Sequence, residues 1–176
     1  YSPCDPYYLT CIRSSLKPFQ AAAAVKAGAV DAAGFSDDEL AMMCASHSGE
    51  DIHVNTVHSM LNKLGLSTAD LECGSHFPSD KITRHKMIKE GKLPEPIHNN
   101  CSGKHAGMLA LAKHLEQGIK GYIHKEHPVQ KEIFNLVQEL TGLKNIPTET
   151  DGCSAPTPFM TLETIARLFQ KLATIN

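Results

Sequence analysis

Tryptophan is absent from this 176-residue chain, and all aromatic residues together make up 6%. Stacking platforms of the kind that carry single-stranded nucleic acid are therefore not expected. A dominant charge is missing as well. Seventeen Lys and Arg face nineteen Asp and Glu, for a net charge of -2 and a pI near 6.6. That balance gives no electrostatic case for nucleic acid or an acidic membrane surface as partner. No apolar run approaches the 18 residues of a spanning helix. The first residues lack the basic-then-apolar order of a secretory leader. Six cysteines are too sparse for a disulfide scaffold. Cys4 and Cys11 could pair, but nothing requires it, and a reducing, cytoplasmic setting is the expectation. G-x-G-x-x-G, Walker A and H-E-x-x-H are all missing, which removes nucleotide and zincin readings.

What is present is mostly helix signal. Ser14 to Gln20 leads into an alanine run with Pro18 near the first turn and Gly28 as a stop. Ser36-Asp37-Asp38-Glu39 is a capping box before Leu40 to Ala45. Further helices are expected over 50–64, 79–90, 102–117 and 128–140, and from a Thr161 cap through Leu172. No strand is predicted; Gly121-Tyr122-Ile123 is too short. The Pro-containing stretches 93–96 and 145–150 are read as connectors, each leading into a polar cysteine segment.

Those two segments are His98-Asn99-Asn100-Cys101-Ser102-Gly103-Lys104-His105-Ala106-Gly107-Met108 and Asp151-Gly152-Cys153-Ser154-Ala155-Pro156-Thr157. Cys101 falls at a helix start, where free N–H groups favour a thiolate, and Lys104 follows on the same face. Cys101 could serve as a nucleophile beside Lys104, or as a metal thiolate with Cys153. Two thiolates and a nitrogen suit Zn²⁺, with His105 the more usual nitrogen ligand and Lys104 the less usual. Two buried free thiols are the plain alternative. His98 and His76 lie close in sequence to Cys101 and Cys73.

Ser14-Ser15-Leu16-Lys17 is an S-x-x-K pattern at a helix start. Such a Lys can take the Ser proton once burial or a nearby cation, here Arg13, depresses its pKa. A capping Ser with a solvated Lys is the bland alternative. Ala45-Ser46-His47-Ser48-Gly49-Glu50 crowds hydroxyls, an imidazole and a carboxylate into one turn. A Ser-His-Glu triad is conceivable there, although residues adjacent in a turn seldom converge.

The blocks Arg13 to Gln20, Ala45 to Glu50, Cys73-Gly74-Ser75-His76-Phe77-Pro78, His98 to Met108 and Asp151 to Thr157 occur in an order and spacing that resembles the rhizobial-type L-asparaginase II family, from about Cys11 to Leu172. The resemblance implies an α/β fold related to serine β-lactamases and glutaminases. It implies that 1–176 is a single incomplete domain, the helical, central portion of a longer protein, with most of the sheet and a second catalytic lysine elsewhere. It further implies L-asparagine as substrate, with Ser14, Lys17 and Ser46 catalytic. Arg13 and Asp151 would bind or orient the substrate. Cys101, Lys104 and Cys153 would form a metal site, for zinc, in a homodimer. Other readings are an S-x-x-K hydrolase of glutamine or a β-lactam-like amide, and a non-catalytic, zinc-stabilised helical module.

Overall fold

Helix caps written in the sequence set most of the framework. The computed structural model describes residues 5–174. The suggested Cys4–Cys11 pair thus lies outside the described residues on its Cys4 side. The order is β1 (Leu9–Cys11), α1 (Lys17–Lys26), α2 (Ala29–Ala32), α3 (Asp37–Cys44), α4 (Asp51–Lys63), α5 (Lys81–Lys89), α6 (Ser102–His114), α7 (Pro128–Thr141), β2 (Thr148–Thr150), β3 (Pro156–Thr161) and α8 (Leu162–Thr174). Single 3-10 turns occupy Arg13–Leu16, Thr68–Asp70 and Pro96–His98. The Ser36 box forms as expected, with Ser36 Oγ accepting from Glu39 N and Glu39 Oε2 accepting from Ser36 N. Thr161 Oγ1 accepts from Thr164 N at 3.2 Å, which starts α8 where the sequence placed it.

Helix α6 is the central post. Every residue from Ser102 to Ala112 is buried, so the helix shows no polar face, as expected of one surrounded by others. Small residues let its neighbours approach. A Cβ at Gly103 would stand 2.5 Å from the Met42 carbonyl oxygen of α3. Leu109, Leu111, Val57, Met60, Leu61, Val129 and Ile133 form the main core around it, and Leu16, Phe19, Val137, Met160 and Leu168 form a second cluster under the sheet.

The sheet corrects the sequence reading, which predicted no strand. Three antiparallel strands are ordered β1-β3-β2. The missed signal has a physical cause. Pro156 and Pro158 argue against a central strand because each lacks an N–H. Here β3 is central only in a shared sense: Pro156 to Pro158 pairs with β2, and Phe159 to Thr161 pairs with β1. Pro158 still joins the β1 side through its carbonyl, which accepts from Ile12 N at 3.1 Å, so the ladder loses only the missing N–H. The architecture is helix-rich with a small antiparallel sheet, compatible with the α/β expectation. No helix among the described residues is long and apolar enough to cross a membrane.

Candidate functional site: two buried lysines on α1 and α6

After β1 the chain turns through Arg13–Leu16 into α1. Arg13 has φ 50, the left-handed region that costs a side-chain-bearing residue. Three contacts hold it there. Its backbone N–H donates to Thr157 Oγ1 at 3.0 Å, and its guanidinium meets Asp151 Oδ1 through Nε at 3.1 Å and Nη2 at 2.9 Å. The turn leaves Ser14 exposed and drives Lys17 inward, to 1% exposure. Neither part of the bland alternative holds. The Ser14 hydroxyl caps no helix, since the start of α1 has no side-chain cap, and Lys17 is not solvated.

Lys17 Nζ reaches Ala45 O at 2.7 Å, Ser46 Oγ at 2.6 Å and Asn100 O at 3.4 Å. The partners constrain the proton inventory. Two are carbonyls and can only accept, so they hold two N–H groups. The third position faces a hydroxyl, which can accept from an ammonium or donate to a neutral amine. Burial pushes the Lys17 pKa down, and the Lys104 charge acts the same way, against the opposing pull of Cys101 and Cys153. The S-x-x-K spacing predicted a Ser14–Lys17 contact. Among the described residues Ser14 makes no side-chain hydrogen bond to Lys17, and it is Ser46 that the amine holds.

Ser46 rides on a loop fixed by its neighbour. His47 is 4% exposed. Its Nδ1 accepts from Gly49 N at 3.1 Å and its Nε2 lies 2.8 Å from Ser102 Oγ. Ser102 Oγ donates to Ile97 O at 2.9 Å, so it must accept from His47, which is the neutral Nε2–H tautomer. Burial, then the nearby His53, brings the His47 pKa down to about 4. The conceivable Ser-His-Glu triad does not form: His47 serves Ser102, while Ser48 donates to Glu50 at 2.5 Å.

The thiols lie on the other side of the same loop. Cys101 is the N-cap of α6, as its sequence position predicted. Asn99 Oδ1 accepts from Cys101 N at 2.8 Å, and Asn99 Nδ2 donates to Cys73 O and Gly74 O. His76 Nε2 accepts from Asn100 N at 3.2 Å. His98 turns away to accept from Glu95 N. Cys101, Lys104 and Cys153 are 3%, 5% and 4% exposed. Lys104 Nζ donates to Cys153 Sγ at 2.9 Å, and Asp151 Oδ2 is 3.9 Å from that sulfur. The Cys101 S–H, then His105 and Lys104, draw the Cys153 pKa down, whereas Cys153 and burial push the Cys101 pKa up.

His105, the more usual nitrogen ligand in the sequence, and Tyr122, which no pattern marked, back this cluster. Tyr122 Oη accepts from Glu72 N at 2.8 Å and lies 2.8 Å from His105 Nδ1. With no other acceptor for it among the described residues, the phenol proton goes to Nδ1, which places the imidazole proton on Nε2. That atom is buried with no partner in hydrogen-bond geometry and sits on the Cys153 side. Among the described residues no group of three His, Cys, Asp or Glu is placed to hold a metal. The donors that do converge are two thiols and an amine, a set whose softness suits zinc.

The sequence quoted Arg13, Ser46, Asp151 and Thr157 inside its blocks, and the structure gathers all four around Lys17 and Cys153. A family model described as L-asparaginase II matches residues 1–176. No curated protein matches the chain.

Proposed function

The chain belongs to the L-asparaginase II family, and from that membership we propose that it hydrolyses L-asparagine to L-aspartate and ammonia, with Lys17 as general base. One observation carries the assignment: a buried amine with a depressed pKa, 2.6 Å from the Ser46 hydroxyl. Neutral Lys17 takes a serine proton, and the serine oxygen attacks the side-chain amide carbon. Collapse of the tetrahedral adduct breaks the C–N bond. Ammonia leaves with the proton returned by Lys17, and a serine ester remains. Water then opens the ester, giving the carboxylate and restoring the hydroxyl.

In this reading Ser14 is the nucleophile, exposed and uncommitted, and Ser46 passes its proton to Lys17. Direct attack by Ser46 is the second reading, favoured by its contact with the amine. Arg13, one residue before Ser14 in the chain, and Asp151 form an ion pair. The guanidinium suits the substrate carboxylate and the aspartate suits its ammonium. Cys101, Lys104 and Cys153 would hold zinc. When bound, zinc supplies a positive charge that orients and polarises substrate oxygens. The protein works as a homodimer in this proposal.

Ammonia release, with asparagine, glutamine and a chromogenic β-lactam assayed side by side, tests the chemistry. Asparagine turnover lost in both Ser14→Ala and Ser46→Ala, with the trapped ester on Ser14, is the expected result. An ester on Ser46 selects the second reading. Wild-type turnover in both variants would sink the Ser-Lys mechanism, and an inert protein that melts on chelation would favour the structural zinc module.

A further inference from the structure

The near-zero net charge hides a strong segregation. Residues 27–62 contain Asp31, Asp37, Asp38, Glu39, Glu50 and Asp51 and no Lys or Arg; Glu39 is buried and paired with Lys63 at 2.7 Å, which leaves five exposed carboxylates. Residues 81–92 reverse this, with Lys81, Arg84, Lys86, Lys89 and Lys92 against Glu90 alone. Helix α5 carries the basic set and buries a single residue, Met87. Only Lys92 of the five cations has an ion-pair partner among the described residues, Glu90 at 2.8 Å. Four unpaired cations on one short helix repel one another, an arrangement that an anionic partner relieves.

Both regions also expose large apolar side chains. Ile82 and Leu93 are each 80% exposed and Ile88 53% on the basic side, while Ile52 is 70% exposed on the acidic side. Ile52 shares a groove with Asp38 and Asn55 between α3 and α4. Apolar anchors within a charged surround are the anatomy of a protein interface. The two regions adjoin. Asp51 lies within electrostatic reach of Lys92, and both line one groove between α4 and α5.

We infer that α5 docks on the α3–α4 acidic edge of a second copy of this chain. Adjacent patches of opposite sign are what a closed twofold pair requires. Each copy then places its α5 on the other's acidic edge, both patches are covered, and no open-ended chain of copies grows. The alternation of charges with isoleucine on the outer face of α5 suits insertion of Ile82 and Ile88 beside Ile52, with lysines reaching Asp31, Asp37 and Asp38. This assignment rests on the homodimer reading and is independent of the amide chemistry.

Sedimentation velocity of the full chain tests it, at 50 mM and 500 mM NaCl, since exposed charge pairs weaken over that range. One variant reverses α5 (Lys81→Glu, Arg84→Glu, Lys86→Glu, Lys89→Glu). A second reverses the edge (Asp31→Lys, Asp37→Lys, Asp38→Lys). Each alone is expected to sediment as a monomer where the wild type is a dimer, and an equal mixture to recover the dimer. The Ile82→Ser, Leu93→Ser variant leaves every charge in place and is expected to weaken dimerisation at least tenfold. Far-UV circular dichroism establishes that each variant is folded; if a reversal variant unfolds, the isoleucine variant decides. A dimer insensitive to all three variants overturns the surface while leaving the homodimer standing. A wild-type chain that stays monomeric at 100 µM overturns both. Monomeric wild type that binds vesicles of three parts phosphatidylcholine to one part phosphatidylserine, lost on α5 reversal, would make α5 a membrane-facing helix and also overturn the proposal.

Discussion

Lys17, which opens α1, and Lys104, in the first turn of α6, are both almost fully buried, yet their partners differ in kind. Lys17 faces two carbonyls and a hydroxyl, all neutral. Lys104 donates to the Cys153 sulfur, a thiol whose pKa is drawn down. A buried amine among neutral oxygens loses its preference for charge. In the proposed function one residue type serves two roles, a proton acceptor at Lys17 and a metal-binding group at Lys104. The lesson is that S-x-x-K and C-x-x-K look alike in sequence and are distinguished by what the i+3 lysine meets.

The sharpest way to break this comparison is to remove each amine in turn. Lys17→Met is expected to cut kcat for ammonia release by roughly 10³-fold, within the usual range for loss of a general base. Zinc content should remain unchanged. If Lys17→Met keeps wild-type kcat, Lys17 is not the base and the distinction between the lysines falls. Lys104→Met is expected to act on the metal instead. Zinc measured by atomic emission on protein purified with reduced thiols should fall from about one per chain to well below one, as it should in Cys153→Ser. Full zinc retention in both variants would separate the thiol cluster from any metal.

His47 joins the two sides. It holds the loop carrying Ser46 and donates to Ser102, the residue after Cys101. Its folded pKa of about 4 lies below the ordinary 6.5. Between those values the unfolded chain binds the proton and the folded chain does not. Stability therefore rises as pH goes from about 4 to 6.5 and is level above, by up to about 3 kcal/mol from this group. His47→Gln can keep the donor to Ser102 but cannot titrate. Urea denaturation of the two proteins at pH 4.5 and 7 is expected to show a smaller pH difference in the variant. An equal pH difference would mean that His47 is protonated in the folded state.

How much of this was readable in the sequence depends on whether a contact is local. The Ser36 box, the Cys101 helix start and the Thr161 cap are set by residues within four positions of each other, and all three form. The blocks that carry Arg13, Ser46, Cys101 and Asp151 were visible because polar and small residues stood where a core would put leucine. The partner of Lys17 was not visible. Spacing pointed to Ser14, three residues away, but the hydroxyl on the amine comes from Ser46, 29 positions along the chain. The 3-10 turn after a left-handed Arg13 is what turns the two apart. Strand β3 was hidden by two prolines, whose missing N–H groups argue against a strand although their carbonyls and neighbours complete the ladder. His105 and Tyr122 stand 17 residues apart, and their pairing depends on how α6 meets the loop before α7.

The smallest expected effect concerns the packing that keeps the two lysines in register. Gly103 lies between Cys101 and Lys104, and a Cβ there would approach the Met42 carbonyl at 2.5 Å. Met42 is three residues before Ala45, whose carbonyl holds Lys17. A backbone oxygen cannot swing aside, so Gly103→Ala must push α6 away from α3. Replacing a helical glycine by alanine is worth about 1 kcal/mol in its favour, and overpacking costs about 1–3 kcal/mol. A net loss of about 1 kcal/mol follows, a fall in Tm of roughly 2–4 °C. Gly107 is the control. Its Cβ would meet the Met43 side chain first, at the terminal Cε 2.5 Å away, and a methionine end group can rotate out. Gly107→Ala is therefore expected to leave Tm within about 2 °C of wild type. Equal melting temperatures for the two variants would show that the α3–α6 contact yields as easily through the backbone as through a side chain, and that the spacing between the lysine sites is not fixed by Gly103.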